Sequence, residues 1–223
     1  MVIHMHETRK KYTVLLLSAP IGSGHRLVAD RPEVEVIHGN IFDFFPQFLG
    51  KVFLGTYLWI LKCCPWLYKL AYSWGNKQGG SLWMRELLNR LLAWLGGSYL
   101  RSVQPDAVIA THATPAGIIG YYKKQHPKLW LGAVVTDFTI HRWWVCDGVD
   151  TYFIADELLR DKLATDADIQ ATGIPVRQQF MIKHDKQKCR EFFGWDETER
   201  VCLLMGGGEG LLPMAEIITA LQR

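Results

Sequence analysis

The sequence predicts an α/β protein built on a parallel sheet, and three observations predict it. From Pro105 onward, short apolar runs alternate with helical periods. That is the pattern of strands buried on both faces and joined by crossover helices. A glycine loop, Gly22-Ser23-Gly24-His25, follows the first apolar run and opens a helical stretch. A second, Met205 to Gly210, follows the last apolar run. The 223 residues suffice for one large domain or two small ones with a real core.

Composition narrows the class. Hydrophobic residues make up 49% and charged residues 21%, which is globular and not disordered. A net charge of +3 is too small to point to nucleic acid. Five cysteines without a C-x-x-C pair argue against a disulfide framework or a zinc knuckle, and a reducing cytosol is the simplest home. Arg9, Lys10 and Lys11 precede the apolar run Val14 to Leu17, but that run is too short for a secretory signal. The longest uncharged apolar stretch, Val52 to Leu61, falls short of the ~20 residues that cross a bilayer.

Taken in order, Thr13 to Ser18 is expected as a buried strand, followed by the glycine loop and a short helical stretch to Asp30. Val34 to His38 is a second strand, ending in the turn Gly39-Asn40. Ser81 caps an amphipathic helix to about Leu95, with Leu87, Leu88, Leu91, Leu92 and Leu95 on one face. Strands are expected at Ala107 to Ala110, Leu131 to Thr136, Thr151 to Ile154, Asp168 to Ala171 and Val201 to Met205. Helices are expected at Thr114 to Gln125, Asp156 to Ala164, Lys186 to Phe193 and Pro213 to Gln222. A strand and helix after Trp195 cannot bury both their faces alone. The expectation is a first domain over residues 12–182 and, over 186–223, the start of a truncated second one.

In parallel sheets ligands gather at the carboxyl ends of strands, and the informative residues lie there. Gly22 and Gly24 let backbone approach a ligand, or simply make a turn. His25, at a strand-to-helix junction, is placed to exchange a proton with substrate. His112 closes the strand before Thr114-Pro115, as a cap or as a ligand contact. Asp137 ends the next strand, and His141, Trp143 and Trp144 follow in one loop. A carboxylate and an imidazole four apart beside two Trp suit a sugar or lipid headgroup, and with no third ligand nearby no metal is expected. Gly206, Gly207, Gly208 and Gly210 around Glu209 suit close approach to a diphosphate.

The strongest physical signal is basic and aromatic. Between Phe44 and Arg85 stand Lys51, Lys62, Lys69, Lys77 and Arg85, with no Asp or Glu. Trp59, Trp66, Trp74 and Trp83 accompany them, four of nine Trp in the chain. Such residues favour the lipid interface, and five cations contribute up to ~5 kcal/mol at an anionic leaflet. A buried helical pair with snorkelling lysines is the alternative, but forty positions without an acid fit it poorly. Residues 44–95 are therefore expected to contact an anionic membrane.

The ordered set of segments resembles the amino-terminal half of the monogalactosyldiacylglycerol synthase and processive diacylglycerol glucosyltransferase family. The matching segments are Ser18 to His25, Pro105-Asp106 with Thr111-His112, Val135 to Phe138 with His141 and Trp144, Thr172 to Val176, and Leu204 to Gly210. The resemblance implies a GT-B architecture of two Rossmann-like domains, with acceptor lipid on the first and UDP-sugar mainly on the second. It implies hexose transfer from UDP-glucose or UDP-galactose to diacylglycerol or a glycosyl-diacylglycerol, with inversion and without a cofactor or metal. His25 is the first candidate base, and Asp137 or His141 the second. Gly22, Gly24, His112 and Trp144 would line the acceptor cleft, and Gly206 to Gly210 would approach the donor. A peripheral place on the inner face of the cell membrane follows, with no nucleic-acid partner.

Two departures from the family pattern stand out. Six residues after His25 cover ~9 Å, too little to recross strands ~17 Å long, so the first crossover is expected to be short or irregular. The family's later nucleotide-binding segments have no counterpart before Arg223. The rival expectation is a membrane-binding module without catalysis, and residues 1–223 by themselves are expected to be inactive. A nucleotide-dependent oxidoreductase would need a third glycine and an acid ending the second strand, and finds neither.

Overall fold

The computed structural model describes residues 11–18, 34–44, 82–206 and 213–222, with 50–52, 55–56, 59–60, 63–64, 66–67, 70 and 73 between them. The described residues fall into two units, one ending at Ile174 and the other beginning at Pro175.

The first unit is a six-stranded parallel sheet: β1 Tyr12–Ser18, β2 Val34–Asn40, β3 Ala107–Ala110, β4 Trp130–Val134, β5 Thr151–Ile154 and β6 Asp168–Ala171. The order is β2-β1-β3-β4-β5-β6. Leu15 lies opposite Ile37 on one side and Val108 on the other. Ala133 lies between Ala110 and Tyr152. Their runs of apolar residues form the centre of the core, where Leu15, Val108, Leu131, Tyr152 and Ile154 are fully buried. Each such aliphatic side chain contributes about 1.5–3 kcal/mol.

Two helices cross back along the sheet, α1 Leu82–Val103 and α2 Ala113–Lys123, and pack on each other. Both connections step the same way along the sheet, so right-handed crossovers put both helices on one face. Small residues let them approach. A Cβ on Gly117 would lie 2.5 Å from the Asn89 side chain, and one on Gly120 would lie 2.1 Å from the Asp147 carbonyl oxygen. A Cβ on Gly96 would lie 2.4 Å from the Phe44 ring.

The amino ends of the strands are fastened together. Thr13 donates to the Asp106 carboxylate at 3.0 Å, and Asp106 N–H returns a bond to the Thr13 carbonyl at 2.9 Å. The Asp150 carboxylate accepts the Leu131 N–H at 2.7 Å and pairs with Lys123 at the end of α2. Asp150 also donates to the Leu131 carbonyl at 2.9 Å and accepts from Asp168 at 3.0 Å.

Several expectations are corrected. The helix expected to end near Leu95 runs to Val103, because Gly96 is where Phe44 packs and not where the helix stops. Its buried face is Asn89, Ala93, Gly96 and Leu100, while Leu87, Leu88 and Leu91 face outward. Gly39-Asn40 continues β2, and the turn comes one step later at Ile41–Phe44, where Asn40 donates to Asp43 at 2.7 Å. The helix expected over Asp156 to Ala164 is a 3-10 segment, Glu157–Lys162.

In the second unit, α3 Lys186–Phe193 is capped by Asp185 and closed by Gly194 at φ 69°. Helix α4 spans Met214–Leu221. The strand expected at Val201 to Met205 is absent. Strand geometry is held by ladder partners, and the described residues of this unit offer none. The start of a second Rossmann-like domain is thus not seen among the described residues.

Candidate active site

The strand order fixes where a ligand would sit. The chain passes from β1 outward to β2, then returns across β1 to β3, so the direction reverses between β1 and β3. Open parallel sheets bind ligands outside the carboxyl ends of strands at that reversal. Thr111 continues β3 there, donating its N–H to the Leu17 carbonyl at 3.1 Å. Its side chain is 6% exposed, and its hydroxyl oxygen is buried without a hydrogen-bond partner.

His112 follows, with extended φ and ψ of −148° and 151°, and caps α2 by accepting the Thr114 N–H at Nδ1 over 3.2 Å. A nitrogen that accepts carries a lone pair, so in the neutral ring the proton is on Nε2. His112 is exposed.

The end of β4 supplies the second half. Asp137 is exposed, and its carboxylate accepts the Trp144 indole N–H at 3.3 Å. Trp144 is 3% exposed, and its ring lies 6.4 Å from that of His112 between centroids. His112 and Asp137 are therefore both brought to Trp144 from two strand ends. The corrected point is Trp144. Expected at a lipid headgroup, it is buried, because its indole fills the core beneath the loop and its N–H reaches up to the carboxylate.

His141 caps the short 3-10 turn Arg142–Trp144, accepting the Trp143 N–H at Nδ1 over 3.2 Å. Its Nε2 is buried. His141 is thus engaged in the turn, whereas the Asp137 carboxylate is exposed.

The turn is secured from beneath. The Tyr152 hydroxyl, fully buried on β5, donates to the Trp144 carbonyl at 2.7 Å and accepts the Cys146 N–H at 3.0 Å. Burial raises the pKa of both groups: the Cys146 thiol is pushed up to about 11, and the Tyr152 hydroxyl well above its usual range. Both are neutral and structural at physiological pH. Neither was singled out from sequence, where a Tyr in an apolar strand and a lone Cys give no signal.

The expected membrane-contact residues divide. Lys51, Trp59, Trp66 and Trp83 are exposed, and Trp83, Leu87, Leu91 and Trp94 form an outward stripe on α1 at helical spacing. Arg85 is corrected: it turns inward and donates to the carbonyls of Arg142 and Val145. Gly22, Gly24, His25, Lys62, Lys69, Trp74, Lys77, Gly207, Gly208, Glu209 and Gly210 lie outside the described residues, as does the crossover after His25. Gly206 is described and half-buried. Among the described residues no cluster of three or more His, Cys, Asp or Glu is close enough to hold a metal ion, and no helix is long and apolar enough to cross a membrane.

A six-stranded parallel sheet flanked by helices, with its direction reversing between β1 and β3, defines a Rossmann-like α/β domain. The chain belongs to the monogalactosyldiacylglycerol (MGDG) synthase family, whose profile matches residues 28–176. It is 27% identical to the processive diacylglycerol beta-glucosyltransferase of Bacillus pumilus, over 92% of this chain and 56% of that one. It is 28% identical to a probable monogalactosyldiacylglycerol synthase 2 of Oryza sativa subsp. indica, over 96% of this chain and 50% of the relative. The chain spans about half the length of the curated relatives it matches.

Proposed function

We propose that this chain carries the acceptor side of a glycolipid glycosyltransferase that moves a hexose from a UDP-sugar to diacylglycerol. The observation that carries the reading is the Asp137 carboxylate, exposed at the end of β4 and oriented by the Trp144 indole N–H at 3.3 Å. A carboxylate held so that one oxygen is engaged leaves the other to accept a proton from an alcohol. His112, a donor through Nε2, stands on the adjacent strand end to orient the glycerol oxygen or a sugar already attached.

In the reaction, the acceptor oxygen attacks the anomeric carbon as the bond to the UDP oxygen breaks, inverting the centre. The hydroxyl proton passes to the base, with His25 and Asp137 as candidates, and UDP departs with the bonding electrons. Gly206 to Gly210 would approach the donor diphosphate, with UDP-glucose and UDP-galactose as the donors. No cofactor takes part in this scheme. The exposed Trp59, Trp66 and Trp83 and the cations of the 44–95 region support peripheral attachment to an anionic, cytoplasmic membrane face.

The test is retention on anionic vesicles with and without diacylglycerol, alongside transfer from labelled UDP-glucose and UDP-galactose. Diacylglycerol should raise retention, and Asp137→Asn should remove that increment while leaving the rest. Transfer needs both substrates held at reacting distance, which supplies ~7–11 kcal/mol of the barrier, so turnover is read separately from retention. Retention indifferent to diacylglycerol, in the intact chain, would favour a membrane-binding module without catalysis.

A further inference from the structure

Arg85 rises from α1 between Trp83 and Leu87, both exposed, yet its own guanidinium points into the protein. Nη1 donates to the Val145 carbonyl at 2.9 Å and to the Arg142 carbonyl at 3.2 Å. Among the described residues it makes no ion pair. A partly buried cation is thus balanced by two backbone dipoles, and those carbonyls bracket the turn that carries Trp143 and Trp144.

The position of that turn matters because of what hangs from it. Trp144 is its last residue, and the indole N–H of Trp144 is the described contact that orients Asp137. Tyr152 holds the same turn from β5 at the Trp144 carbonyl and the Cys146 N–H. Arg85 holds residues 142 and 145 from the α1 side, so removing it takes away the two side-chain bonds that tie the turn to that helix.

We infer that Arg85 is a positioning residue for Asp137, acting through the 142–145 turn and the Trp144 indole N–H. The geometric part stands on the contacts alone; only its functional meaning rests on the proposed acceptor role of Asp137. An arginine that the sequence groups with membrane-facing cations therefore links the outward face of α1 to the site.

The test is the Trp144 indole N–H cross-peak in ¹⁵N–¹H spectra of the whole chain, assigned by its loss in Trp144→Phe. In Arg85→Met this peak should move toward its position in Asp137→Asn, and the amides of Trp144 and Val145 should exchange about tenfold faster. Arg85→Lys should restore most of both, which a merely space-filling role would not produce. Should Arg85→Met fail to fold, Arg85→Gln, which keeps one donor, is read in its place with the same expectation at smaller amplitude. A folded variant with the indole peak and exchange rates unchanged overturns the inference. Vesicle retention separates the two ideas. If the peak moves while neither Arg85→Met nor Asp137→Asn alters the diacylglycerol increment, the positioning stands and the acceptor reading falls.

Discussion

Trp144 gives Asp137 its orientation from below: a 3%-exposed indole sends its one donor up to an exposed carboxylate 3.3 Å away. The pair combines a rigid buried base with a solvent-facing acceptor, so the carboxylate is restrained without being desolvated. In Trp144→Phe the indole donor is lost together with part of a buried ring. The expected result is loss of the diacylglycerol increment in vesicle retention, with a stability decrease of about 1.5–3 kcal/mol, the usual range for a hydrogen bond to a charged group. Thermal melting and flotation measure the two effects.

Tyr152→Phe tests the support beneath the turn. It removes the donor to the Trp144 carbonyl and the acceptor for the Cys146 N–H, and leaves buried groups unpaired. A loss of roughly 1–3 kcal/mol is expected, or a melting shift of about 2–4 °C per kcal/mol for a chain of this size. An unchanged melting temperature would mean that the turn is held elsewhere.

Cys146 sets an alkaline limit. Its thiol ionises near 9 when unfolded and is pushed up to about 11 by burial in the fold. Between those values the unfolded chain has lost a proton that the native chain retains, so stability falls as pH rises. The contribution is intact below about pH 9 and is lost on the way to 11, an order of 2–3 kcal/mol. Tyr152, also raised, acts in the same direction at higher pH. Denaturation midpoints across that window, compared with Cys146→Ala, measure it. At pH 8 a thiol reagent should modify the exposed Cys63 and Cys202 and leave Cys146 untouched.

Gly120→Ala should be severe. The added methyl would meet a backbone oxygen at 2.1 Å, and backbone cannot swing aside as a flexible side chain can. Overpacking of this kind typically costs 1–3 kcal/mol and shifts the backbone. Gly97→Ala, where a Cβ meets only the movable end of Arg101 at 3.1 Å, is the control and should be nearly neutral.

Reversal of Lys51, Lys62 and Lys69 to Glu should release the chain from anionic vesicles, and salt should weaken the parent's retention because exposed charge is screened within ~8 Å at physiological ionic strength. Persistent retention at high salt would assign attachment to the exposed Trp59, Trp66 and Trp83.

The inner strands were legible because a parallel sheet needs continuous apolar runs, and Ala107 to Ala110 and Thr151 to Ile154 carry that pattern at their observed limits, while Asp168 to Ala171, at the sheet edge, buries only Ile169. Where sequence misled, a tertiary contact outweighed a local rule. The helix expected to end near Leu95 runs on past Gly96, which accommodates Phe44, and a charged residue among membrane-type neighbours turned inward to two carbonyls. Val201 to Met205 has the apolar content of a strand without a described neighbour to pair with. In the site, His112 and Asp137 were visible as polar residues ending apolar runs. Thr111, Tyr152 and the inward role of Arg85 were not, since their significance lies in what they touch across the fold.

Asp150 gives the molecule a division of labour along its strands. One residue joins β4, β5, β6 and the end of α2 at the amino ends of the strands, so moving Asp150 disturbs all of those links together. The crevice edge is assembled from separate pairings that can be altered one at a time. Substitutions in the loops after β3 and β4 can therefore change what those strand ends meet while the unit that keeps the sheet closed is left undisturbed.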